Sequence, residues 1–226
     1  PGGIPSAQVG KEAFDLCRPR EAVRVLQALD PTRGQLRGFM PYWWNLGDAA
    51  HVAGDFALEA RTAERARGIF GDLPWTHALA VHAAIGARDD ARARALTDST
   101  DALFLRVLRG PQGARQLRDH AGEALAHGDS ALARALAERG LAWLDRLPDS
   151  LRTTPSAITD EVELLLVLGR ADAAQRVMDA VPPAPVHGVV GLRLLVATMR
   201  RDTAAAARWD AALAARPTRW GQATLW

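Results

Sequence analysis

The chain has 226 residues, 48% of them apolar and 24% charged, and its 28 Lys and Arg against 26 Asp and Glu leave a formal charge of +2. That balance is ordinary for a globular domain and excludes disordered, collagen-like and bulk nucleic-acid-binding chains. A single cysteine, Cys17, excludes an internal disulfide and a cysteine-based metal site, and the longest apolar runs (162–168 and 189–199) are too short or are broken by Glu163 and Arg193, so no membrane insertion is expected.

Ala, Leu and Arg dominate, all good helix formers, and alternating Val/Ile/Thr runs are missing, so the elements read as helices throughout. Val23, Leu26 and Leu29 repeat at helical spacing behind Pro19 and stop before Asp30-Pro31. A next pair of helices meets at Gly54-Asp55 and ends at Asp72-Leu73-Pro74, and a third meets at Gly86-Ala87-Arg88-Asp89 and ends at Gly110-Pro111. The fourth turns at Gly128-Asp129; its second helix carries Leu132, Leu136 and Trp143 and stops at Leu147-Pro148 and Thr154-Pro155. Gly169-Arg170 and Arg201-Asp202 turn the fifth and sixth, which are closed by Pro182-Pro183 and Pro217. Gly behind a helix supplies a left-handed C-cap, and Asp just beyond it caps the helix that follows. Counting Arg18 as the first turn, the turns fall near 18, 54, 86, 128, 169 and 201, which are 32–42 residues apart. Helix, short turn, helix and proline-bearing loop at that period is the layout of an α-solenoid. The segment from Trp220 to Trp226 is expected to open a seventh hairpin, and the Pro182-Pro183-Ala184-Pro185 run to form a joint.

One unit is sharper than the others. Trp43, the Leu46-Gly47 pair, Gly54-Asp55-Phe56, Ala66 and Pro74 match in order the first-helix Trp, the Leu-Gly pair, the inter-helix turn with its aromatic, the small second-helix residue and the closing proline of the tetratricopeptide repeat (TPR) family, which this stretch resembles. Glu59 departs from the pattern, standing where the family places a small residue. The other units keep the turn and the apolar stripe. The resemblance implies an all-α, right-handed superhelix of about six TPR-like hairpins, in a single domain over residues 1–226. The stretch from Leu26 to the Tyr-Trp-Trp segment is also similar to helical-repeat regions of bacterial signalling proteins. That likeness implies, as an alternative role, a sensory or autoregulatory arm of a Ser/Thr kinase or transcription regulator. With its start at Pro1 and its end at Trp226, the chain is expected to be part of a longer, cytoplasmic protein.

In TPR-like hairpins the first helices line a concave groove. The resemblance therefore puts Trp44, Asn45, Asp48 and His51 on that surface, followed by His77, then Arg115, Arg118 and Asp119, then Thr159, Asp160 and Glu163. A Trp among Asn, Asp and His suits the capture of a peptide or helix, because aromatic and desolvated polar groups supply binding hot spots. A carboxylate clamp of the kind some family members use is not expected, since Pro74 and Ala78 occupy the places of its basic residues.

Chemical motifs are few. Lys11 is the only lysine, so no Gly-rich phosphate loop ending in Gly-Lys-Ser/Thr exists. His77 and His82 stand five apart, off one helical face, and no His-Glu-x-x-His occurs, so no zinc site and no cofactor are expected. Asp89-Asp90 reads as a helix cap, and Cys17 as a small buried residue at a helix end. Arg61, Arg65, Arg67, Arg88, Arg92 and Arg94 are interleaved with Asp55, Glu59, Glu64, Asp89 and Asp90, the pattern of paired, solvated helix faces rather than a nucleic-acid surface. The expectation is a non-catalytic scaffold for a protein or peptide partner, with self-association through a terminal hairpin as a further possibility.

Overall fold

The computed structural model describes residues 10–107, 110–180 and 187–215. These form helices α1 (10–15), α2 (Pro19–Gln27), α3 (Met40–Val52), α4 (Phe56–Phe70), α5 (Pro74–Gly86), α6 (Asp90–Val107), α7 (Gln112–Ala126), α8 (Ser130–Asp145), α9 (Asp149–Arg152), α10 (Pro155–Val167), α11 (Ala171–Asp179), α12 (His187–Met199) and α13 (Thr203–Ala214). A short 3-10 turn covers Gly34–Leu36, and no strand occurs among the described residues. The described residues pack as two compact units, one within Pro1–Arg109 and Glu123–Leu132, the other within Gly110–Gly122 and Ala133–Trp226. The expected proline joint and seventh hairpin lie outside the described residues.

All six anticipated turns are present and share one geometry. Cys17, Gly54, Arg88, Gly128, Gly169 and Arg201 each adopt a left-handed backbone, with φ of 57°, 77°, 57°, 83°, 72° and 59°. In each, the next residue's N–H reaches back to the carbonyl five residues earlier, as in Asp55 to Ala50 (2.9 Å), Asp129 to Ala124 (2.8 Å) and Asp202 to Ala197 (2.9 Å). That is the Schellman closure of a helix end. Asp55, Asp89, Asp129 and Asp202 then accept the backbone N–H of Leu58, Arg92, Leu132 and Ala205 at 2.8–3.1 Å. The same side-chain cap opens four of the second helices. Pro41, Pro74 and Pro155 lie in the first turns of α3, α5 and α10, where a missing N–H costs nothing.

Two sequence expectations are corrected at these turns. The third turn pivots on Arg88, not Gly86; Gly86 ends α5, and a Cβ there would meet the Phe56 ring at 2.4 Å. The glycine therefore serves helix packing rather than backbone reversal. Cys17 is exposed at the left-handed position of its turn rather than buried.

In the first unit α3 packs on α2, α4 and α5, and α5 packs on α4 and α6. Leu26, Leu36, Tyr42, Trp43, Leu46, Ala50, Leu58 and Ala66 form its core. Trp43 is buried edge-on to Tyr42, and Tyr42 donates its hydroxyl to the Leu26 carbonyl at 3.2 Å. Gly47 lies where a Cβ would meet Leu79 at 2.7 Å, so α3 and α5 approach closely there. In the second unit α10 packs on α9, α11 and α12, and α12 on α11 and α13, around Val162, Leu165, Leu166, Ala174, Met178, Leu192 and Val196. In both units, then, the first helix of one hairpin touches the first helix of the next.

Candidate functional site

Helix α3 presents two faces. Tyr42, Trp43, Leu46, Gly47, Ala49 and Ala50 are buried, because this side faces the neighbouring helices. Trp44, Asn45, Asp48 and His51 are only half-buried and follow one another along the remaining side. The Trp44 ring lies 6.5 Å from that of Trp75, in the first turn of α5, and its side chain donates to Asp48.

His51 is the centre of a polar cluster within the first unit. Its Nδ1 is 2.8 Å from Oε2 of Glu59 on α4, and its Nε2 is 2.7 Å from Oε1 of Glu123 in the last turn of α7. Nε2 of His127, just past α7, reaches the same Glu123 oxygen at 2.9 Å. The rings of His82 and His127 lie 6.1 and 5.5 Å from the His51 ring, and Phe56 stacks edge-on against both His51 and His127 at 5.4 and 5.5 Å. Glu59 is 1% exposed, and its Oε1 has no hydrogen-bond partner among the described residues. Ligand atoms of His51, Glu123 and His127 all fall within 4.8 Å of one another.

Burial and charge set the protonation of this cluster. Burial alone would lower the His51 imidazole, but its bonds to Glu123 and Glu59 outweigh this and hold it up at about 10. Burial, reinforced by the Glu59 charge, pushes Asp48 up to about 7. Burial also raises Glu59, against the pull of His51. Burial acts upward on Glu123 as well, but the hydrogen bond and charge of His51, with His82 and His127 beside it, bring it below its ordinary value.

His77 stands apart from this group. It is buried, with Nε2 3.3 Å from Asp72 and Nδ1 3.3 Å from the Thr100 hydroxyl, so its ring is taken up inside the fold rather than offered to a groove. In the second unit, Arg118 on α7 donates to Asp119 at 2.6 and 3.0 Å and to Asp160 on α10 at 2.6 Å, and pairs with Glu163 at 3.1 Å. Asp160 is fully buried, which corrects its reading as a surface residue, while Arg115 is exposed. Burial pushes the Asp160 carboxyl up to about 6, even with Arg118 and Arg115 pulling it down.

The sequence reading singled out Asp48 and His51 but missed Glu59, Glu123 and His127 as their companions. The legible signal was Glu59, a charged residue at a position that calls for a small one. The spacing of His77 and His82 pointed away from a histidine cluster because its members come from different helices.

No protein-family model and no curated protein matches the chain.

Proposed function

We propose that the chain is a non-catalytic protein-interaction scaffold, an α-solenoid of TPR-like hairpins that captures a peptide or helix along its first helices. The half-buried row Trp44, Asn45, Asp48 and His51 on α3 carries this reading. One side of the helix is committed to the core, while on the other Trp44 and Asn45 stay half-buried beside Asp48 and a His51 ring held by Glu59 and Glu123. Groups of this kind give directional, partly desolvated contacts, the chemistry of binding hot spots. The hairpin-on-hairpin contacts inside each unit support the repeat architecture, since a hairpin of this kind hides its apolar face only against its neighbours.

A peptide-display selection against the chain tests this reading. Enriched peptides are expected to bind in the micromolar range and to lose at least tenfold in affinity to a Trp44→Ala/Asn45→Ala variant with unchanged helical circular dichroism. Failure to enrich any sequence, or equal binding by parent and variant, would overturn it.

A further inference from the structure

We propose that His51 Nε2, His127 Nε2 and the Glu123 carboxylate bind one zinc ion, with Glu59 holding His51 in the ligating orientation. The three groups are the donors this metal prefers, two imidazole nitrogens and a carboxylate. Their ligand atoms already lie within 4.8 Å of one another. Zinc bonds of about 2.0–2.1 Å in a tetrahedron place neighbouring ligand atoms roughly 3.3 Å apart. The observed 2.7 Å from His51 and 2.9 Å from His127 to Glu123 lie within about 0.6 Å of that spacing.

Glu59 supplies an independent argument. It is 1% exposed and accepts from His51 Nδ1 at 2.8 Å, which directs the opposite nitrogen, Nε2, toward Glu123 and His127. A carboxylate behind a ligating imidazole is the usual outer support of a protein zinc site: it fixes the tautomer and raises the ligand's basicity. Its second oxygen is buried without a hydrogen-bond partner among the described residues, and Asp48 and Glu123 lie close enough to act electrostatically on His51 and on each other. Phe56 walls the cluster on one side. A cavity of about 400 Å³ lies beside His127, with Arg88, Asp90 and Asp129 in its lining.

The consequence is structural. His51 and Glu123 are 72 positions apart in the chain, so the ion would tie the end of α7 to α3 within the first unit. The ion would occupy His51 of the α3 row but leave Trp44 and Asn45, on which the scaffold test is made, and it requires no partner.

Calorimetric titration of chelator-stripped chain with Zn²⁺ at neutral pH tests the proposal, with Co²⁺ absorption as a second readout. The expected result is one equivalent bound with micromolar or tighter Kd, a rise in melting temperature, and cobalt bands of a four-coordinate site. His127→Ala and Glu123→Gln, each checked for unchanged helical content, are expected to weaken binding at least 100-fold. Glu59→Gln should weaken it by about 10–100-fold while keeping the stoichiometry, and Cys17→Ser should leave it untouched. Absence of binding tighter than 100 μM, or binding that survives His127→Ala and Glu123→Gln, would overturn the assignment. The second outcome would move the metal to other histidines.

Discussion

Replacing Arg118 with Met tests the ion cluster around Asp160 in the second unit. Arg118 touches three carboxylates, but they are not equally dependent on it. Side chains of Asp119 and Glu163 are 38% and 26% exposed and can turn to water; that of Asp160 is 1% exposed and cannot. The cost therefore falls on Asp160, whose Oδ2 already lacks a hydrogen-bond partner among the described residues. A buried carboxylate stripped of its partner costs about 3–5 kcal/mol. Urea unfolding followed by far-ultraviolet circular dichroism at pH 7.5 reads this loss. In an Asp160→Asn background no charge is stranded, and the same Arg118→Met change should cost about 1 kcal/mol. The difference is a coupling energy of roughly 2–4 kcal/mol. At pH 5 the buried carboxyl, already raised to about 6 with Arg118 present, is largely neutral, and the cost should shrink. A loss below 1 kcal/mol at pH 7.5, or an identical loss in the Asp160→Asn background, would refute the reasoning.

The same carboxyl predicts a pH dependence. Asp160 titrates near 6 in the fold against an ordinary 3.8, so between these values the folded state holds a proton that the unfolded chain has released. Its contribution is full below about pH 4 and is lost as pH rises through 6, by up to about 3 kcal/mol; Asp160→Asn should flatten the unfolding free energy over that window. At the turns, Arg201 holds φ of 59°, and Arg201→Gly should raise stability by about 1 kcal/mol, whereas Gly54→Ala, at φ of 77°, should lower it by a similar amount in thermal melts. Helix packing separates two further glycines: Gly86→Ala drives a methyl into Phe56 and should cost about 1–2 kcal/mol net. By contrast, Gly122→Ala, with nothing within 4 Å of its added carbon, should stabilise by about 1 kcal/mol.

The hairpin plan was readable because its signals are local. Gly or a tolerant residue at the left-handed position, Asp at the cap and Pro at the next helix start each act within a few residues. Gly54-Asp55 and Gly128-Asp129 therefore announced their turns directly. Gly86 misled because glycine serves two purposes, and only the position of Phe56, thirty residues earlier, reveals which one applies. The His51 cluster was half visible. Asp48 and His51 share a helix face that the resemblance marked. Glu123 and His127 join them from another hairpin, through contacts that no spacing rule encodes. Glu59 shows the same limit: its charge broke the repeat pattern, but its partner stands eight residues away across a turn. The burial of Asp160 was hidden for a related reason: the resemblance placed it on the groove surface, and it is Arg118, from another helix, that makes a carboxylate tolerable at this interior position.

The scaffold reading meets its most direct trial in a nitrogen-15 correlation spectrum of the chain titrated with a selected peptide. Tryptophan indole N–H signals are well separated probes, and Trp44 and Trp143 report on different surroundings: Trp44 is half-buried beside Trp75, and Trp143 is buried with its N–H on the Gly110 carbonyl at 3.0 Å. Saturable shifts of the Trp44 indole and the Asn45 side-chain amide, with the Trp143 indole unmoved, are the expected result. Shifts confined to Trp209 on α13, with Trp44 and Asn45 silent, would contradict a ligand groove along the first helices.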